Sequence, residues 1–360
     1  IRIMKAKRVK TPLMLFAASS YQYTEPYGVV LIMSPWNYPF QLAIDPLIGA
    51  IAGGNCAVVK PGSYAKHTAE AIKNLLDDWF EPAYVTTILG GREENNQLLD
   101  QPFDYIFFTG SKDVGKVVME KASRHLTPIS LELGGKSPCI IDGTVDMKLV
   151  AKRVTFGKFT NAGQTCVAPD YVFVHESSKE AFVKAMKEAI TTALGENALI
   201  NPDYPKIINA KHLERLKGLM VGSTVAFGGK SNDQQIEPTL LTDVTFESPV
   251  MQEEIFGPIL PILTYQSIDE CVDYINAHDK PLAFYLFSKS KPLFKRLMND
   301  VAFGGATIND TLMHVASSDL AFGGVGASGM GAYHGIHSYR TFTHSKAVLN
   351  RKTAIDLSFR

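Results

Sequence analysis

The sequence has no net charge and few cysteines, and both features argue against whole classes of protein. Of its 360 residues, 36 are Lys or Arg and 36 are Asp or Glu, so there is no overall field to recruit nucleic acid or an anionic membrane. The four cysteines, Cys56, Cys139, Cys166 and Cys271, show neither CxxC nor Cys/His spacing, which argues against a disulfide framework and a zinc site. We therefore expect reduced thiols, a cytoplasmic location and no bound metal.

Long apolar runs are also missing. The chain begins with basic residues before a short apolar run at 13–18, which superficially resembles a secretory signal, but Pro12 interrupts its approach. No stretch reaches the roughly 20 apolar residues that a membrane span needs. We therefore expect a soluble protein without a membrane segment.

Short runs rich in Val and Ile alternate with segments of helical period, as in parallel sheets buried on both faces. We predict strands at 28–33, 56–60, 85–89, 104–108, 171–175, 259–263, 282–287 and 305–309, and helices at 68–79, 112–122 and 146–162. The length and this order predict two doubly wound α/β domains that meet near Gly134 and Gly135, with a cleft between them. The glycine-rich segment 322–335 is either a mobile surface loop or a loop that closes over the cleft.

Three polar residues at predicted element ends are candidates for chemistry. Cys166 follows a helix in NAGQTCVAPDY, where Gly163 and Ala168 leave space for a substrate and a thiolate would be a strong nucleophile. A buried inert thiol, our interpretation of the other three cysteines, fits it equally well. Glu132 ends an apolar strand, which favours a raised pKa and a general base, although a solvated strand-end carboxylate also fits. Asn37 lies between two prolines, as an oxyanion donor or as an ordinary turn residue.

Other polar residues follow strands at the carboxyl edge of a sheet, where open α/β folds bind dinucleotides. Lys60 in VVKPGS can hold ribose hydroxyls or phosphate. Gly110 and Ser111 in FFTGSKDVG open a helix whose N–H groups can meet a pyrophosphate, although this is not GxGxxG and is a weak signal alone. In MQEEIFGPILP, Glu254 can bond a ribose diol and Phe256 can flank a nicotinamide ring, or the segment is a charged loop rim.

Seven motifs in register resemble the aldehyde dehydrogenase superfamily: WNYP, KP, FTGSxxxG, ELGGK, GQTC, EEIFGP and FGGVGxSGMG. The segments EPYGVVLI, GQTCVAPDY and GMGAYHG are most similar to the branch that includes the class 3 and fatty aldehyde dehydrogenases. The resemblance covers nearly the whole chain and implies two Rossmann-like α/β domains with a small oligomerisation element. It implies an NAD(P)-binding domain at 1–134 with oligomerisation strands at 17–29, a catalytic domain at 135–335, and a segment at 336–360 that returns to the cofactor domain and the oligomer interface. It also implies that family members have further residues before the counterpart of Ile1 and after the end of this chain.

The resemblance implies oxidation of an aldehyde to a carboxylic acid with NAD or NADP. At matching positions Cys166 is implied as the nucleophile, through a thiohemiacetal and a thioester, Glu132 as the general base and Asn37 as the oxyanion donor, while Glu254 is open to a role in proton transfer. The implied cofactor contacts are Lys60, Ser63, Gly110, Ser111, Gly115, Glu254 and Phe256. The implied lining of the aldehyde tunnel is Tyr38, Phe156, Phe159, Thr165, Phe322 and His334. These mostly apolar residues favour medium-chain aliphatic or aromatic aldehydes.

One departure from the family pattern bears on the cofactor. Ser63 stands where many NAD-preferring relatives carry Glu, so we predict that NADP is accepted as well as NAD. The implied assembly is a homodimer. Three alternatives stay open: an acylating dehydrogenase in which coenzyme A takes the acyl group, opposed by the intact Glu132; a non-catalytic relative, supported only by the implied truncation; and a thiol hydrolase that pairs Cys166 with a histidine such as His334.

Overall fold

The computed structural model describes residues 6–355, which form three sheets. In chain order the strands are β1 (Lys7–Val9), β2 (Ala18–Pro26), β3 (Val29–Met33), β4 (Cys56–Lys60), β5 (Val85–Thr87), β6 (Tyr105–Thr109), β7 (Ile129–Glu132), β8 (Pro138–Ile141), β9 (Tyr171–His175), β10 (Thr224–Phe227), β11 (Thr239–Thr242), β12 (Ile259–Tyr265), β13 (Ala283–Phe287), β14 (Gly305–Ile308), β15 (Gly329–Met330) and β16 (Thr343–Arg351). The α-helices are α1 (Gln41–Gly53), α2 (Lys66–Trp79), α3 (Arg92–Leu99), α4 (Lys112–Ser123), α5 (Met147–Phe159), α6 (Lys179–Leu194), α7 (Ala210–Leu219), α8 (Pro249–Gln252), α9 (Ile268–Asn276), α10 (Lys291–Asp300) and α11 (Gly335–Thr341).

A six-stranded sheet organises most of the chain before Gly134. Its order is β15-β7-β6-β3-β4-β5, and every strand is parallel to its neighbours except β15. Central residues such as Leu31 and Phe107 are fully buried, because apolar side chains face helices on both sides of the sheet. The chain adds β4 and β5 to one side of β3, and then β6 and β7 to the other. The sheet is therefore doubly wound, with its switch point at β3.

A seven-stranded sheet organises the rest, in the order β10-β11-β12-β9-β8-β13-β14. Only β10 is antiparallel to its neighbour, and the central strands are again buried on both faces. The chain passes from the first sheet to the second between Glu132 and Pro138, which is where the sequence predicts a boundary.

A small third sheet lies outside these two and joins distant parts of the chain. β2 pairs with β16 over nine residues, from Ala18 opposite Arg351 to Pro26 opposite Thr343, and β1 pairs with the other edge of β2. An aromatic cluster holds the segment before β16 on the six-stranded sheet, because the Phe107 ring lies 5.1 Å from Tyr333 and 5.6 Å from Phe342. In the region described, β16 is an edge strand with one free side.

The predicted α/β class is confirmed, and all eight predicted strands form with ends shifted by at most two residues. The helix predicted at 146–162 is too long. It ends at Phe159, because Asn161 and Ala162 adopt left-handed conformations with φ near +50°. Within the glycine-rich segment 322–335, Gly329 pairs with Glu132 as β15 joins β7. This segment is therefore part of the sheet edge rather than a free surface loop.

Candidate active site

The turn before Cys166 is built for close backbone packing. This 3-10 turn, Thr160–Gly163, ends in a glycine with φ of +72°, and a side chain at Gly163 would clash with the backbone carbonyl of Gly257. Gly163 therefore makes room for that carbonyl and not for a substrate, which corrects our prediction. Ala168, on the other side of the thiol, is likewise buried at 6% exposure.

All four cysteines are free thiols, and Cys166 is one of the two that are partly exposed. Cys139 and Cys271 are buried in the two separate cores that cover opposite faces of the second sheet, as expected of inert thiols. Our prediction of burial was wrong for Cys56, which begins β4 at the amino end of the first sheet and is only partly covered there.

Glu132 ends β7 and carries a buried carboxyl group. The residue is 2% exposed, and neither carboxyl oxygen has a hydrogen-bond partner among residues 6–355. Burial raises the pKa of Glu132 well above its usual range. Burial and then the charges of Glu254 and Glu132 raise the pKa of the Cys166 thiol to about 12. The thiol is therefore protonated near neutral pH in this structure, and a base has to remove its proton before it attacks.

Asn37 and Tyr38 follow β3 and bond to the loop that precedes the thiol. Asn37 Nδ2 donates to the Gln164 carbonyl at 3.0 Å, which leaves its second N–H for a ligand. In return, Asn161 Nδ2 donates to the Asn37 carbonyl at 2.9 Å. The hydroxyls of Tyr38 and Thr165 lie 2.7 Å apart. These bonds join a loop of the first sheet to a loop of the second.

Glu254 supplies a second carboxyl group, on a partly exposed residue, whose charge raises the pKa of Cys166. It lies against Gly134, and the backbone N–H of Gly135 favours its ionised form. Burial, followed by the charge of Asp170, raises the pKa of Glu254 to about 8. A carboxyl group with a pKa in this range can both accept and release a proton near neutral pH.

Three charged residues to which the sequence analysis gave no role hold the Glu254 loop. Arg215 on α7 donates to Glu253 Oε1 at 2.8 Å and to the Ile255 carbonyl at 2.6 Å. Asp170 Oδ1 accepts from the Ile255 N–H at 2.9 Å, and its Oδ2 accepts from Lys136. Lys136 lies in the motif ELGGK and Asp170 in the segment GQTCVAPDY, so the sequence could have indicated both residues. Nothing in the local sequence marks Arg215, because its partners are about forty residues away.

The carboxyl ends of β3, β4 and β6 meet at the switch point of the first sheet and fit a dinucleotide. Lys60, at the end of β4, is 3% exposed, and burial lowers its pKa. Its ammonium donates to the carbonyls of Gly90 at 2.7 Å and Pro61 at 3.1 Å, so a third N–H is left for a ligand. Ser111 caps α4 directly after Gly110, and its Oγ accepts from a backbone N–H of the first turn. The N–H groups at this helix start can bind phosphate.

The other predicted cofactor residues lie around this edge in different roles. Ser63 is exposed in the turn after β4. Phe256 has a left-handed backbone, with φ of +48°, and its ring meets Trp36 edge to face at 5.5 Å. Gly115 is buried on α4, where an added Cβ would lie 2.8 Å from the Leu133 side chain. Gly115 therefore lets the helix approach the chain after β7.

The predicted tunnel residues fall into separate groups. Phe156 and Phe159 line a cavity of about 690 Å³ between α5 and α6, and Phe156 is 52% exposed. Asn161, which bonds to the loop before the thiol, also lines this cavity. Phe322 stacks on His334 with ring centroids 5.2 Å apart, as a pair outside that lining. The structure therefore places an open space, lined by both apolar and charged side chains, beside the loop that precedes Cys166.

The thiol hydrolase alternative needs a histidine that activates Cys166. Across residues 6–355, no hydrogen bond joins the ring of His334 to the thiol, and burial lowers the pKa of that histidine. His334 instead adopts a φ of +77° at the start of α11. The groups that act on the thiol are the two carboxyls described above.

Nowhere in 6–355 do three or more His, Cys, Asp or Glu side chains form a group able to hold a metal ion. Within those limits, each helix is too short or too polar to cross a membrane.

The fold and site are those of an oxidoreductase, with one sheet that binds a dinucleotide and one that carries the cysteine. Comparison with known proteins identifies the family. The aldehyde dehydrogenase family model matches residues 4–348. The chain belongs to the aldehyde dehydrogenase family and is an oxidoreductase that converts aldehydes to acids. The predicted aldehyde dehydrogenase fold and activity are thereby confirmed.

Similar proteins place the chain in the class 3 branch, as predicted. It is 52% identical to 4,4'-diaponeurosporen-aldehyde dehydrogenase of Staphylococcus aureus over 98% of this chain and 78% of that protein. It is 47% identical to aldehyde dehydrogenase family 3 member A2 of Rattus norvegicus over 96% of this chain and 72% of that one. Among solved structures, the substrate-bound state of Staphylococcus aureus AldH has a TM-score of 0.96 and 51% identity, covering 99% of this chain and 79% of that one. A 3,6-anhydro-L-galactose dehydrogenase in complex with NAP has a TM-score of 0.89 and 27% identity, covering 97% and 76%.

Proposed function

We propose that this enzyme oxidises medium-chain aliphatic or aromatic aldehydes through a covalent bond to Cys166, with NAD or NADP as hydride acceptor. The observation that carries the proposal is that the Asn37 amide bonds to the loop of Cys166 across the two sheets, while the charges of Glu132 and Glu254 act on the Cys166 thiol. These groups supply a nucleophile, two bases and an oxyanion donor.

Each residue has one task in the proposed reaction. Glu254 takes the proton of the Cys166 thiol, and the thiolate attacks the aldehyde carbon. The Asn37 amide and the backbone N–H of Cys166 stabilise the resulting alkoxide of the thiohemiacetal. A nicotinamide dinucleotide held by Lys60, the Gly110–Ser111 turn and Phe256 would supply the hydride acceptor that converts this adduct into a thioester of Cys166. Glu132 then removes a proton from the water that releases the carboxylic acid.

The cofactor proposal rests on the edge of the first sheet. Lys60 has a free N–H there, Gly110 and Ser111 open α4, and Phe256 packs against Trp36, which follows β3. The NAP complex of a structural relative supports NADP as a possible ligand of such a site. Ser63 leaves the turn after β4 without the carboxylate that would repel a 2′-phosphate.

Cofactor preference provides a direct test of Ser63. We expect the parent enzyme to reduce NADP as well as NAD, and Ser63→Glu to lower kcat/KM for NADP by at least about 10-fold, because like charges brought together cost several kcal/mol. The neutral variant Ser63→Gln is the matched control and is expected to keep NADP activity. Steady-state kinetics with both cofactors measures this. A parent enzyme that strongly favours NAD would contradict the prediction.

The proposed substrate class rests on the aromatic side chains of Phe156 and Phe159, which line this cavity. We expect hexanal and benzaldehyde to give much higher kcat/KM than glyceraldehyde or succinic semialdehyde, because aromatic side chains bind apolar groups better than hydroxyls or a second carboxylate. Absorbance of the reduced cofactor measures the rates, and product analysis distinguishes a free acid from an acyl-coenzyme A. Equal rates with polar aldehydes would contradict the apolar preference, and thioester products would favour the acylating alternative.

Domain limits, assembly and location complete the proposal. The cofactor domain spans 1–134 and the catalytic domain spans 135–335, and 336–360 returns to the cofactor domain; residues 1–5 and 356–360 lie outside the described structure. The free side of the nine-residue strand β16 supports a homodimer, because an unpaired strand edge is a template for pairing. The free thiols support a cytoplasmic location.

A further inference from the structure

The loop that carries Glu254 and Phe256 joins α8 to β12 without regular structure, and a single side chain bonds to three of its residues in a row. Arg215 donates to the Glu254 carbonyl at 3.3 Å and to the Ile255 carbonyl at 2.6 Å. It also donates to Glu253 Oε1 at 2.8 Å. Carbonyls outside a helix or sheet need such partners, and the planar fork of a guanidinium can serve several acceptors at once. Arg215 therefore fixes the backbone of this loop.

The backbone directly after these bonds is strained. Phe256 adopts a φ of +48°, a left-handed conformation that residues with a side chain disfavour. Such a conformation persists only where the surrounding contacts hold it. The preceding residue is held on both sides, because the Ile255 N–H donates to Asp170 at 2.9 Å and the Ile255 carbonyl accepts from Arg215. Loss of the Arg215 bonds would let this backbone relax, and both functional side chains of the loop would move with it.

The same side of α7 also contacts the turn that precedes the oxyanion donor. His212 lies three residues before Arg215, so the two side chains share a face of the helix. The ring centroid of His212 is 6.0 Å from that of Trp36. Trp36 directly precedes Asn37 and meets the ring of Phe256 edge to face at 5.5 Å. One face of α7 therefore contacts both the Phe256 loop and the turn before Asn37.

We propose that Arg215 is a positioning residue that holds the loop 253–256 in the conformation the reaction needs. In this conformation the Glu254 carboxyl lies two residues beyond the end of β7, where a Cβ added to Gly134 would stand 2.5 Å from each of its oxygens. The ring of Phe256 lies against its aromatic neighbour in the turn after β3. Arg215 acts through these two side chains and exchanges no proton itself. The inference rests on the proposed function of Glu254 and Phe256.

The variant Arg215→Gln tests the effect on the reaction, because glutamine stays polar but lacks the fork and the charge. We expect kcat for hexanal to fall about 10²-fold, since a small displacement of a catalytic group can cost that much. In a Glu254→Gln background the same change is expected to lower kcat by much less, because the carboxyl group that it positions is already absent. Equal falls in the two backgrounds would show that Arg215 does not act through Glu254, and would overturn the proposal.

Two further variants separate position from charge. Arg215→Lys keeps the charge but replaces the fork by a single ammonium, so it is expected to recover only part of the lost rate. The full parent rate in this variant would mean that charge alone matters, against a positioning role. Lys211→Gln removes a charge from an exposed lysine at the start of the same helix, and as the control it is expected to leave kcat unchanged.

Fluorescence provides a measurement that does not depend on activity. The chain has two tryptophans, and Trp79 is 77% exposed on α2, so Trp79→Phe leaves Trp36 to report its contact with Phe256. In this background Arg215→Gln is expected to move the emission to longer wavelength and to increase quenching by acrylamide, because the Trp36 ring loses cover. An unchanged signal with a lower Tm would mean that Arg215 only stabilises the fold, and would overturn the proposal. If the parent enzyme reduces no cofactor with any aldehyde, the proposed function fails, while the Trp36 signal still decides whether Arg215 holds the loop.

Discussion

Replacing Cys166 by alanine is expected to lower the rate of aldehyde-dependent cofactor reduction by at least about 10⁴-fold, because no other group replaces a covalent nucleophile. The reduced cofactor is measured by absorbance with hexanal and either NAD or NADP. Mass spectrometry of the parent enzyme, quenched during turnover, is expected to show the acyl group on the peptide that contains Cys166, and the variant is expected to show none.

Cys56→Ala is the matched control for this experiment. Cys56 is the other partly exposed free thiol of the described chain, and it lies at the far end of β4 from the proposed cofactor edge. The control is expected to keep the parent rate and Tm. Loss of activity in both variants would point to a general effect of thiol removal, and full activity of Cys166→Ala would remove Cys166 from the mechanism.

Replacing Glu132 by glutamine is expected to lower kcat by about 10² to 10⁴-fold, the usual contribution of a general base. The amide cannot take a proton from water, so the thioester accumulates after the hydride has left. A burst of one equivalent of reduced cofactor per site is therefore expected before a slow steady rate, and stopped-flow absorbance measures it. A slow rate without a burst would mean that Glu132 acts before or during hydride transfer.

The same variant also tests the burial of Glu132 through stability. The pKa of this carboxyl group is raised in the folded protein, so below about pH 4 the group is protonated in both states and costs nothing. As the pH rises, the unfolded chain releases this proton first, and the folded protein loses stability until its own raised pKa is passed. Glu132→Gln lacks this loss, so its Tm is expected to exceed that of the parent by a margin that grows from pH 4 to pH 8. A constant margin would contradict the raised pKa.

The sequence predicted the strands well, because apolar runs such as 28–33 and 104–108 satisfy the same requirement for burial on both faces. It overestimated α5, because Asn161 and Ala162 adopt left-handed conformations and Gly163 lies against the Gly257 backbone, and no local pattern reports either feature. The four residues of the central proposal, Cys166, Glu132, Glu254 and Asn37, were predicted from motifs, but each motif alone fitted an ordinary structural role.

The charges that organise the site were harder to predict. The sequence around Arg215 and Lys158 does not distinguish them from other basic residues of helices. Only the folded chain shows that Arg215 hydrogen-bonds to the Glu254 loop and that Lys158 is fully buried. Gly163 was misinterpreted for the same reason, since its neighbour Gly257 lies far away in sequence. The role of a residue cannot be predicted from sequence spacing when it depends on contact with a distant segment of the chain.

The hydrogen bonds that Asn37 exchanges with Gln164 and Asn161 cross from one sheet to the other, so the reacting groups are assembled only when the two halves of the molecule are seated against each other. The rate of turnover therefore reports whether the two halves are in contact, and it responds to their separation more strongly than spectroscopic signals of helix or strand do. In mild denaturant, turnover should vanish while circular dichroism still reports both halves intact.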